Sequence, residues 1–76
     1  MASNEWVTVE IGFDGGQIMG ARLEDGSAEQ LEVALSKEQE GTLIVMADDG
    51  RYTIALRRVV YVKRFTREAR LGFSSG

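Results

Sequence analysis

The 76-residue chain contains no cysteine and no histidine. Without cysteine no disulfide staples the fold, and without either residue a structural zinc site has no ligand set. Catalysis loses its commonest groups too, because nucleophilic and acid–base chemistry near neutral pH draws mostly on His, Cys or a carboxylate raised in a pocket. The N-terminus, Met1-Ala2-Ser3-Asn4-Glu5, carries neither a positive region nor an apolar run. The longest apolar stretch, Leu43 to Ala47, is far too short to cross a bilayer. These absences lead us to expect a cytoplasmic protein with no membrane attachment, no cofactor and no metal, and a reducing compartment suits the missing thiols.

What is present is ordinary for a globular chain: 43% of residues are hydrophobic and 28% charged, far from the composition of disordered segments. One domain is expected over residues 1–76, with Ser74-Ser75-Gly76 set aside as a tail. A chain of this size buries only about 60% of its surface on folding. With the usual staples missing, association with a second copy is one way left to stabilise a small core.

The charges are segregated. Eleven of the twelve acids lie in residues 1–50 beside only Arg22 and Lys37, a net charge of −9. Seven of the nine bases (Arg51, Arg57, Arg58, Lys63, Arg64, Arg67 and Arg70) lie in residues 51–70 against Glu68 alone, a net charge of +6. Either the two parts neutralise each other or each attracts something else.

Residues 5 to 13 alternate, with Val7, Val9, Ile11 and Phe13 on one face and Trp6, Thr8, Glu10 and Gly12 on the other, the period of a half-buried strand. Asp14-Gly15-Gly16 tolerates positive φ and turns the chain into a return strand through Met19, Ala21 and Leu23, with Gly20 weakening it or marking a bulge. Ser27-Ala28-Glu29-Gln30 reads as a capping box, with the Ser27 hydroxyl capping the helix start. Ala28, Leu31, Ala34 and Leu35 then form an apolar stripe, Val33 falls opposite it and is expected at the surface, and Gly41 marks the C-terminal end. Thr42 to Ala47 is an apolar strand, Asp48-Asp49-Gly50 a hairpin turn, and Tyr52, Ile54 and Leu56 alternate after it. Val59-Val60-Tyr61-Val62 follows the interruption at Arg57-Arg58 and reads as a fifth strand covered on both sides. Thr66 is placed to cap a short turn through Ala69, after which Leu71 and Phe73 fold back as anchors. The order is ββαβββ: an α+β fold with an antiparallel sheet of about five strands and one helix packed on it. Its core face buries Val7, Val9, Ile11, Leu43, Val45, Ile54 and Leu56 against Leu31 and Leu35.

The first strand Val7 to Gly12, Asp49-Gly50-Arg51, Tyr61-Val62 and Ala69-Arg70-Leu71-Gly72-Phe73 together resemble a family of small uncharacterised actinobacterial proteins, over residues 7 to 73. Members share the order of hairpin, helix opened by Ser-Ala or Ser-Pro before acids, hairpin and last strand. They differ in carrying an acid after Tyr-Val, where this chain has Lys63-Arg64, and in lacking the Gly15-Gly16 turn. The resemblance implies a fold and a compartment and lends no catalytic residues.

No motif names a reaction. Asp14, Asp25, Asp48 and Asp49 sit in turns and Glu29 and Glu32 on the helix surface, where solvent keeps carboxylates ionised and chemically idle. Asp48-Asp49 lacks the alternating ligands of a calcium loop, and Gly12 to Gly20 is glycine-rich without the Lys-Ser/Thr or following helix that a phosphate loop needs. Trp6 and Tyr61 are expected as cross-strand packing residues. The basic segment is the remaining candidate. Arg58 and Arg64 are expected on one strand face and Lys63 on the other, and Glu5, Glu10 or the helix acids are the groups available to pair with them. The sequence therefore points to a non-enzymatic interaction module binding a protein partner or itself, with Arg57, Arg58, Val60, Val62, Lys63, Arg64, Arg67 and Arg70 at or near the surface it uses. The alternative partner is nucleic acid, held by the same bases. A pI near 4.8 weighs against it, since such binders usually lie above about 9.

Overall fold

The computed structural model describes residues 5–66. Five strands, β1 (Trp6–Phe13), β2 (Ile18–Glu24), β3 (Thr42–Ala47), β4 (Gly50–Ala55) and β5 (Val59–Arg64), form one antiparallel sheet in the order β4-β3-β2-β1-β5. A single helix, α1 (Asp25–Ser36), joins β2 to β3. The architecture is α+β with the expected ββαβββ order.

The connection between β4 and β5 dictates the shape. These strands are the two edges of the sheet, yet only the 3₁₀ turn Leu56–Arg58 joins them. Four flat inter-strand gaps would separate the edges by about 19 Å, whereas a 3₁₀ link advances only ~2 Å per residue. The sheet must curl so that the end of β4 meets the start of β5. Its concave side holds the core: Val9, Ile11, Leu23, Val45, Ala47, Ile54 and Leu56 from the sheet side close on Ala28, Leu31 and Ala34 of α1. Val7, Phe13, Met19, Ala21 and Leu43 pack around this centre half-buried; Leu35, expected in the core, is only half-buried and lies outside this cluster. Leu31 is fully buried, so its truncation to Ala is expected to cost about 2–5 kcal/mol.

Four local expectations are corrected. The helix begins at Asp25 with no side-chain cap, and Ser27 lies buried inside its first turn. The Ser27 hydroxyl instead accepts the Met46 backbone N–H of β3 at 3.0 Å. That amide points away from β4, and β2 meets β3 at one residue pair only, Leu23 with Ala47, so no strand is there to take it. At the other end of the helix, Glu38, with φ 53°, takes the left-handed position that closes the last turn, and Gly41, also at positive φ (95°), lies three residues further on. The Glu38 and Gln39 amides donate to the Leu35 and Ala34 carbonyls, both at 3.0 Å, closing a Schellman motif around a non-glycine residue.

The β1–β2 register runs unbroken past Gly20; the irregularity falls instead between β1 and β5. There Gly12 opposes Tyr61 and Phe13 opposes Val59, so Val60 is the extra residue of a β-bulge. With α1 on one face of the sheet only, β5 is not covered on both sides: Val60 is 65% and Tyr61 39% exposed. The turn expected at Thr66–Ala69 and the anchors Leu71 and Phe73 fall on or run into residues outside those described. No described helix is long and apolar enough to cross a membrane.

Candidate interaction surface

Residues opposite one another in an antiparallel pair share a face, and this rule separates the bases of β5. Arg64 opposes Val9 and Val62 opposes Ile11, so both face α1. Lys63 opposes Glu10 and Tyr61 opposes Gly12, which places them on the outer, helix-free face. Val62 is half-buried and packs against the core.

Arg64 is committed internally. Its guanidinium donates through Nε and Nη2 to the two carboxylate oxygens of Glu32, at 3.2 and 3.0 Å, and through Nη1 to Asp25 at 2.8 Å. These hydrogen bonds raise the Arg64 pKa above its already high ordinary value, Glu32 contributing most. Arg58 does not share a strand face with Arg64: it lies in the 3₁₀ turn before β5, where its Nε donates to Asp14 at 3.0 Å in an exposed pair. Arg57, next to it, is exposed. Lys63 is exposed as well, its ammonium 4.5 Å from the centroid of the Phe65 ring. Arg67 and Arg70 fall outside the described residues. The segregated charges thus meet in part, C-terminal bases on N-terminal acids, and the six described candidates are not gathered on one surface.

What the outer face does assemble is an aromatic feature. Gly12 has no side chain, and the Tyr61 ring occupies the space where a Cβ would stand: a Cβ built there would lie 2.1 Å from Tyr61 Cε2. The Tyr61 hydroxyl donates to Glu10 at 2.5 Å, which raises the phenol pKa. Glycine below and carboxylate beside hold one ring orientation, yet Tyr61 remains 39% exposed between Val60 and Lys63, and Phe65 is 43% exposed. Sequence reasoning treated Tyr61 as packing and did not pair it with Gly12. The bulge that aligns them alters register without a sequence signal, although a glycine within a strand is itself a sign of close approach.

A second concavity lies between α1 and β3. Val33, Ala34 and Leu43 floor a shallow cleft of about 520 Å³, with Glu29, Gln30 and Gln39 exposed at its rim. Val33 is exposed, as its place opposite the helical stripe predicts.

Comparison with protein-family models, curated proteins and solved structures gives no match to this chain.

Proposed function

We propose that this protein is a non-enzymatic, cytoplasmic interaction module that docks a protein partner on the outer face of β5. The observation that carries this reading is Tyr61: a large, amphipathic side chain that the Gly12 seat and the Glu10 hydrogen bond hold in one orientation while leaving its ring accessible. Such a ring loses little rotamer freedom on binding, and interface energy concentrates in Tyr, Trp and Arg anchors surrounded by weaker contacts. Val60, Lys63 and Phe65 supply that surround, with Arg57 at the start of the strand. The bulge at Val60 and the lysine at 63 blunt the strand edge itself, so recognition runs through side chains rather than through added backbone pairing.

Nucleic acid is the less favoured partner. Aromatic rings beside a lysine suit base stacking, but two of the bases needed to track phosphates, Arg58 and Arg64, already hold acids, and Glu10 sits beside the ring.

The test is a photo-reactive residue in place of Val60, introduced in cells. The expected result is a discrete protein adduct that disappears when Tyr61→Ala is added and is not seen with the probe at Lys37. Oligonucleotide titrations should stay flat. Binding with a slope near −3 to −4 in log affinity against log salt, the signature of about four neutralised phosphates, would transfer the surface to nucleic acid.

A further inference from the structure

The two edges of the sheet are protected unequally. β5 carries a bulge and an exposed lysine, two common devices against edge-to-edge pairing. β4 carries no bulge: its register with β3 is continuous from Thr42 opposite Ala55 to Ala47 opposite Gly50. Its outward side chains are Arg51, Thr53 and Ala55, all exposed, and among the described residues β4 pairs with β3 alone.

The hydrogen-bond phase of this edge follows from its hairpin. A two-residue turn makes Ala47 and Gly50 a bonded pair, and the Leu56 amide donates to the Gly41 carbonyl at 2.9 Å on the same phase. Gly50, Tyr52 and Ile54 therefore spend their backbone groups on β3. The N–H and C=O groups of Arg51, Thr53 and Ala55 point away from the sheet.

We propose that a second copy of this chain pairs antiparallel with β4, about a two-fold axis at Thr53. Charge and shape both suit a copy of the same strand. Thr53 meets its own counterpart, a favourable cross-strand pair. Arg51 lies opposite the second copy's Ala55, so no like charges face each other. On the core side Tyr52 lies opposite the second copy's Ile54, an aromatic against a β-branched residue. On the outer face Ile44, 50% exposed, lies opposite Thr53, so an uncharged row of Ile44 and Thr53 crosses the axis, while Arg51 stands beside Met46 away from it. The same operation on β5 is opposed by its bulge and by Lys63 on the strand. The contact is isologous and closes at two copies.

The missing cysteines make the test clean. Thr53→Cys introduces the only thiol in the chain, on the axis where the Cα separation of a bonded pair, about 5.5 Å, suits a disulfide. Mild oxidation should convert this variant to a covalent dimer, while Val60→Cys should form no disulfide-linked dimer. In sedimentation velocity the unmodified protein should show a dimer boundary that grows with concentration. Thr53→Lys, which sets two ammonium groups on the axis, should lose that boundary, with a circular-dichroism melt at low concentration verifying the fold. A wild-type chain that remains monomeric at every concentration would overturn the proposal, as would a dimer that survives Thr53→Lys. Preferential cross-linking through Val60→Cys would also overturn it and move self-association to β5. Tyr61→Ala should leave the dimer intact, which separates this interface from the partner surface proposed for β5.

Discussion

Arg64 at the end of β5 grips Glu32 in the middle of α1 with two parallel hydrogen bonds, and Asp25 at the start of the same helix with a third. The strand pairs with β1 alone, so this fork is a polar tie between the last strand and the helix that covers the core. Its side chain is 29% exposed, which puts the pair between the solvent-screened and buried regimes. Arg64→Met keeps the stem and removes the charge. It is expected to cost about 1 kcal/mol, read as a drop of about 4–8 °C in the thermal midpoint. Arg64→Lys should recover only part of this, because an ammonium cannot span both Glu32 oxygens.

Ser27→Ala tests whether the buried hydroxyl ties the helix to the sheet. Alanine is the better helix former, so a cap-free helix on its own would gain from the change. Here the Met46 amide loses its acceptor in a half-buried position, and the expected result is a net loss of about 1–2 kcal/mol. An unchanged urea midpoint would mean that water replaces the hydroxyl at no cost.

Gly12→Ala collides with the Tyr61 ring and should expel it from its seat. The expected signature is a loss of near-ultraviolet circular dichroism from the tyrosine with modest destabilisation, and loss of the partner adduct at position 60. Gly20→Ala is the control, since nothing lies within 4 Å of a Cβ there.

Hydrogen bonds to Asp49 and Glu10 raise the pKa of Tyr52 and Tyr61 above the usual 10. The protonated phenols are therefore favoured in the folded state. The stability they contribute is complete below pH 10, where the unfolded phenols are still protonated, and is lost as pH rises through the folded values. Absorbance at 295 nm should show two late-titrating phenols that shift down on unfolding, and Tyr61→Phe should remove one of them. A single titration at the free-tyrosine position would contradict both hydrogen bonds.

Glu38→Gly should stabilise the protein by about 1 kcal/mol, because glycine takes the left-handed conformation without the Cβ clash that a glutamate carries there. The gain is measured as a raised urea midpoint with an unchanged slope.

The elements themselves were legible. Alternation in Val7 to Phe13 and at helical spacing from Ala28 to Leu35 follows from backbone periodicity, which acts locally and is written into neighbouring residues. The helix start and end were less so. Ser27-x-x-Gln30 has the form of a cap, but the competing donor to that hydroxyl is an amide N–H nineteen residues away on β3. The helix closes on Glu38 because the Schellman bonds form two residues past Ser36, before Gly41 is reached. That Lys63 and Arg64 take opposite faces follows from strand alternation and was legible in the basic segment. That Arg58 leaves the strand for a 3₁₀ turn on Asp14, and that Arg64 is spent on Glu32 and Asp25, depends on partners distant in the chain.

Composition and pattern alone determined an α+β fold of order ββαβββ, its apolar faces, and the separation of acids from bases. Tertiary structure decided which bases are consumed by which acids, that Val60 is squeezed out as a bulge, and that Gly12 becomes the seat of Tyr61. The physical reason is range. Periodicity and turn chemistry are settled within a few residues, whereas these contacts join positions 32 to 51 apart in the chain and depend on a register that exists only once the sheet has curled.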